Sequence, residues 1–166
     1  MKHKLILIVF AIAASLSVSA QQKLTTFILL RHAEKVDDGS KNPDLTEEGK
    51  KRAEHLVPLL KNTPIQAIYA TSFIRTRETV GPLAKARSQR IAEYEAFKPE
   101  AIDKILNDFG GGTVLICGHS NNIPWIANYL TGVEKFKNFD DNDYGNVLII
   151  TVAERGKVAS VTWLSY

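Results

Sequence analysis

Apolar positions along the chain fall into short runs separated by polar segments of helical period. Runs at residues 25–30, 67–70, 113–117, 147–152 and 158–163 are rich in β-branched and aliphatic residues and predict strands, with 91–94 a weaker candidate. Between the early runs the period changes. "LTEEGKKRAEHLVPLLKN" offers Thr46 as an N-cap, Glu47 and Glu48 for the first turn, and apolar residues at Ala53, Leu56, Val57 and Leu60. Pro58 should kink this helix or end it early. Further helices are predicted over 74–86, 99–108 and 123–130. Strand and helix alternate, which predicts an α/β three-layer sandwich: a mostly parallel, mixed sheet with helices on both faces. The last two runs flank "AERGK", whose Gly156 suits the turn of an antiparallel hairpin at one sheet edge. The "GGG" at 110–112 precedes a strand, whereas a phosphate-cradling loop follows one, so it reads as a turn.

The first twenty residues stand apart. Basic "MKHK" is followed by apolar "LILIVFAIAASLSV", and Val18-Ser19-Ala20 places small residues where a signal peptidase cuts. Residues 1–20 are therefore expected to be a cleaved signal peptide and 21–166 a single domain, periplasmic or secreted. The apolar stretch 5–20 falls short of the roughly 20 residues of a spanning helix, so no stable membrane anchor is expected after cleavage. The lone Cys117 lies inside an apolar run and reads as a small buried hydrophobe. At 166 residues and 45% hydrophobic content the chain is sized for one core. Losing Lys2 and Lys4 brings the formal +3 down to +1, which is no footprint for nucleic acid.

Candidate chemistry sits where the strands stop. Ligands of open α/β sheets bind beyond the carboxyl ends of the strands. Three predicted strands end in "LLRHAEK" (Arg31, His32), "LICGHSN" (Gly118, His119, Ser120) and "IYATSFIRTRET" (Thr71, Ser72, Arg75). If those strands are neighbours, two imidazoles and two guanidiniums share a pocket. Paired guanidinium forks suit a tetrahedral oxyanion. Like-charge repulsion from them favours a neutral imidazole able to attack phosphorus, while the second histidine and the arginines stabilise the equatorial oxygens in flight.

The motifs "LLRHAEK", "DLTEEGKKRA", "IYATSFIRTRET" and "LICGHSN" resemble, in order, those of the histidine phosphatase, or phosphoglycerate-mutase-like, superfamily. The resemblance runs from Thr26 to Val152. It implies that fold, His32 as nucleophile, Arg31, Arg75 and His119 around the phosphoryl group, and help from the Ser120 backbone N–H. The family's Gly after the first His is Ala33 here, and its Ser-Pro before the second Arg gives way to Thr71-Ser72; neither change removes a functional group. The general acid is expected to be Glu95, with Glu93, Glu34 and Asp143 as alternatives, contributing roughly 100- to 10,000-fold in rate.

The sequence thus points to an exported, metal-independent phosphatase without an organic cofactor, acting through phosphohistidine on a small phosphorylated substrate or a phosphorylated protein. Its alternatives are a weak or inactive phosphate-binding module and a phosphomutase. The short segment between Ala86 and Pro99 leaves little chain for a lid, so the site should be shallow. A metal bound by His32 and His119 ranks well below the phosphate reading, since neither has a second ligand at helical spacing and the arginines repel a cation. His55, Arg77 and Glu78 read as surface or supporting residues. Asn121 is expected to orient His119 or cap the following helix, and Trp125, Phe136, Phe139 and Tyr144 to pack the core or border the pocket mouth. Substrate identity and oligomeric state are left open by the sequence.

Overall fold

A computed structural model describes residues 23–166; the expected signal segment lies outside the described residues. Among the described residues six strands, β1 (Thr25–Arg31), β2 (Ile65–Ala70), β3 (Ile91–Glu93), β4 (Thr113–Gly118), β5 (Asn146–Glu154) and β6 (Lys157–Ser165), form one sheet in the order β3-β2-β4-β1-β5-β6. The first four run parallel, and β5 and β6 are antiparallel additions at one edge. The predicted elements are all present. β2, β5 and β6 extend beyond their apolar runs because ladder bonds to a neighbour hold polar ends such as Asn146 and Ser165 in register.

Helices α1 (Glu47–Leu59), α2 (Ile74–Ala86), α3 (Pro99–Asp108) and α4 (Asn122–Thr131) cover both faces. On β1, Phe27 and Leu29 pack with α3 and α4, whereas Ile28 and Leu30 pack with α1 and α2. A strand buried on both faces reads as a continuous apolar run, which explains "TFILL". Thr46 caps α1 by accepting from the Gly49 N–H at 3.0 Å. The helix stops one residue after Pro58, which has no N–H to donate back to the Glu54 carbonyl. Gly49 lies against the chain leaving β1: a Cβ there would sit 2.2 Å from the Glu34 carbonyl oxygen. Cys117 is fully buried, and residues 110–112 form a turn.

Candidate active site

The strand order decides whether the motifs meet. β1 pairs with β4 with Arg31 opposite Gly118, so the next residues, His32 and His119, emerge side by side. Their ring centroids are 5.4 Å apart at 67°. On the other flank of β4, β2 places Ala70 opposite Cys117, which brings Thr71 to His119 and starts α2 with Arg75 in its first turn.

His32 is 3% exposed. Its Nδ1 lies 2.8 Å from the Ala33 carbonyl oxygen, which can only accept; Nδ1 therefore carries the proton and Nε2 keeps its lone pair. Burial lowers its pKa from 6.5 to about 3; the Ala33 bond opposes this, and His119, Arg31 and Arg75 reinforce it. The neutral imidazole expected from the sequence is favoured, but the chief cause is lost hydration rather than neighbouring cations. His119 is lowered to about 4, by burial first, then Arg75 and Arg31.

Two networks that the sequence did not reveal hold His119. Its Nε2 is 3.1 Å from Thr71 Oγ1, which lies 2.9 Å from Thr76 Oγ1, whose hydroxyl donates to the Phe73 carbonyl at 2.8 Å. Its Nδ1 faces Arg75 Nη2 at 3.4 Å. An arginine can only donate, so the proton sits on Nε2 and points at Thr71. Behind the ring, the His119 N–H donates to Asn122 Oδ1 at 2.6 Å, and Asn122 Nδ2 donates to the Tyr94 hydroxyl at 2.9 Å. Asn122 therefore does the orienting expected of Asn121, whose side chain makes no capping bond. Gly118 is required here: a Cβ would meet Asn122 Oδ1 and the Tyr94 hydroxyl within 2.6 Å.

Arg31 donates from Nη1 to the carbonyls of Asp140 (2.8 Å) and Asp143 (3.1 Å), and its guanidinium stacks 4.1 Å from the Tyr144 ring. Arg75 stacks 4.3 Å from the Phe73 ring. Burial lowers both guanidinium pKa values, yet arginine stays charged. Among the described residues, the Nε atoms of both are buried and have no hydrogen-bond partner. These four side chains line an open cleft of about 620 Å³, with Ser120 also on its wall.

The carboxylates sort differently from expectation. Glu95 and Glu93 line the cleft, but Glu95 is mostly exposed and paired with Lys98 at 2.5 Å. Glu34 is not among the lining residues: it grips Arg52 with contacts of 2.6–2.9 Å, and although burial raises its pKa, Arg52 leaves it lowered on balance. Asp143 acts through its main-chain carbonyl, and the lining carboxylate of its loop is Asp141, which the sequence reading overlooked. Among the aromatics, Phe136 and Phe139 are core residues, while Tyr144 contacts Arg31 and lies 6.0 Å from the His32 ring. Glu78 supports the loop before α1, accepting from the Leu45 N–H at 2.8 Å. His55 is exposed.

A family model, histidine phosphatase superfamily (branch 1), matches residues 27–98. No curated protein matches the chain in sequence. Among solved structures, the protein histidine phosphatase SixA complexed with tungstate superposes with a TM-score of 0.69 at 15% identity, covering 84% of this chain and 96% of that one. A phosphoglycerate mutase from Bacillus anthracis str. Sterne gives 0.63 at 16% identity, covering 87% and 93%. A phosphoserine phosphatase mutant from Entamoeba histolytica, in complex with phosphoserine, gives 0.63 at 12%, covering 82% and 96%. At these identities the likeness establishes the phosphoglycerate-mutase-like fold. The segment matched by the histidine phosphatase superfamily model carries the first histidine and both arginines, His32, Arg31 and Arg75, on that fold.

Proposed function

We propose that the protein is an exported phosphatase that hydrolyses phosphorylated substrates through a phosphohistidine on His32, without a metal. The observation that carries this reading is the convergence of the Arg31 and Arg75 guanidiniums on one cleft with the imidazoles of His32 and His119. Paired guanidinium forks beside two neutral imidazoles supply donors suited to the oxygens of a phosphoryl group. In the first step the Nε2 lone pair of His32 attacks phosphorus, the P–O bond to the leaving group breaks, and that oxygen takes a proton from a cleft carboxylic acid, with Glu95 the first candidate. In the second step water attacks phosphorus and gives its proton to the carboxylate left by the first step, the N–P bond breaks and neutral His32 returns. Arg31, Arg75 and His119 hold the equatorial oxygens throughout.

The open cleft suits a small phosphorylated metabolite or a phosphorylated protein side chain, and it argues against a mutase, which must shield its phosphoenzyme from water. Incubating the protein with p-nitrophenyl phosphate and a chelator should release nitrophenol, His32→Ala should not, and acid-labile phosphate should appear on His32 after a rapid quench. Equal release by both proteins would overturn the reading. A phosphate-binding module without turnover is the second reading, favoured by the exposed, Lys98-paired state of Glu95; anion binding with no release would select it. Export predicts that protein recovered from its host begins at Gln21, and an intact Met1 would refute it.

A further inference from the structure

From the aromatic wall of the cleft we infer a preference for phosphate monoesters whose bridging oxygen sits on an aromatic ring; this rests on the phosphatase reading above. Two large aromatic side chains line the cleft and stay in solvent, Phe73 at 37% and Phe97 at 49% exposure. Phe73, at the N-cap position of α2, stands edge-on to His119 with centroids 5.1 Å apart and carries the Arg75 guanidinium on its face. Apolar surface therefore begins directly beside the phosphate-binding groups. Phe97 lies in the loop between β3 and α3 with φ +60°, a backbone region that bulky residues avoid. Its ring packs edge-on against Trp125 at 5.6 Å, and Trp125 stacks on Tyr129 at 5.5 Å.

An exposed phenylalanine in left-handed backbone is unfavourable for folding on both counts, and strain of that kind concentrates at ligand clamps. The wall fixes which part of a substrate is apolar. In an aryl phosphate the ring follows the bridging oxygen directly and meets Phe73 and Phe97. In phosphoserine the same space holds a single methylene, and in a nucleoside monophosphate it holds a polar ribose.

The test is the ratio of kcat/KM for phosphotyrosine to that for phosphoserine, measured on wild type, Phe73→Leu and Phe97→Gly, with circular dichroism confirming the fold. Phe73→Leu keeps apolar bulk, so it separates lost aromatic contact from lost structure. The ratio should fall about tenfold in Phe97→Gly and less in Phe73→Leu, mostly through KM for phosphotyrosine, as expected for loss of ring packing. An unchanged ratio in both variants, or wild-type turnover of adenosine monophosphate above phosphotyrosine, would overturn the inference while leaving the phosphatase reading intact. Should the wild type hydrolyse neither amino-acid ester nor p-nitrophenyl phosphate, the phosphatase reading fails. Calorimetry then decides the wall alone: phenylphosphonate should bind about tenfold tighter than methylphosphonate, and equal affinities would refute it.

Discussion

Mild acid should destabilise this protein well above the pH at which its carboxylates titrate. His32 and His119 have folded-state pKa values lowered from 6.5 to about 3 and about 4, chiefly by burial. A depressed folded value contributes stability that is fully present above the unfolded pKa and is lost as pH falls toward the folded one. At pH 5 an unfolded histidine of pKa near 6.5 is almost fully protonated while both folded rings remain neutral. Integrating from pH 7 to pH 5 gives roughly 2 kcal/mol per histidine, roughly 4 kcal/mol for the pair. The figure depends little on the folded values, because both lie at least about one unit below pH 5. Glu34, also lowered, adds its loss only below about 4.5, outside this window. For a chain of this size the melting temperature should fall by about 10 °C. Urea unfolding at pH 7, 6 and 5 measures the loss directly, and the double variant His32→Gln/His119→Gln isolates its source. A wild type that loses under about 1 kcal/mol over that interval, or a double variant with the same pH slope, would refute the argument.

Gly118→Ala should cost about 2–3 kcal/mol and lower turnover as well, because its methyl group would displace the Asn122–Tyr94 pair that fixes the His119 backbone; thermal melts and steady-state kinetics check both effects. Thr71→Val removes the acceptor that holds the His119 Nε2 proton and should reduce kcat about tenfold, whereas Thr71→Ser should restore most of it; equal rates in the two variants would contradict the relay. Arg31→Lys keeps the charge but loses both the fork and the Tyr144 stack, so inorganic phosphate should bind about tenfold more weakly by calorimetry.

The site could be read from the sequence as far as each residue declares its own strand end. "LLRH" and "CGHS" mark apolar runs that stop at a histidine, and ligand sites of α/β sheets lie there. What a strand end does not declare is its neighbour. The contact between His119 and Thr71 exists because β2 lies beside β4, and the stacking of Tyr144 on Arg31 depends on the loop before β5 folding back over β1. Both are long-range pairings with no local signature. Asn121 and Asn122 differ only in phase on α4, and one residue of rotation moves the orienting amide from one to the other. Glu34, an alternative for the general acid, is instead paired with Arg52 across 18 residues, a contact with no local signature.

The hydrogen-bond geometry of His119 also determines how it should respond to an arriving anion. In the free site its Nδ1 faces the guanidinium of Arg75, and burial with two cations nearby keeps the ring neutral. A dianion set between Arg31 and Arg75 reverses the local charge, which favours the imidazolium and gives Nδ1 a proton to donate. Binding should therefore take up a proton in the mildly acidic range. Sulfate is the suitable probe because it stays a dianion there while phosphate titrates. Calorimetry at pH 6 in two buffers of different ionisation enthalpy counts the protons: the wild type should take up a fraction of one per sulfate, and affinity should rise as pH falls from 7 to 5. Any proton taken up by His32 is separated by His119→Gln, in which the uptake should shrink. Sulfate binding with no proton uptake, or uptake unchanged in His119→Gln, would mean that the second histidine meets the anion as a neutral ring and that the arginines alone carry the charge.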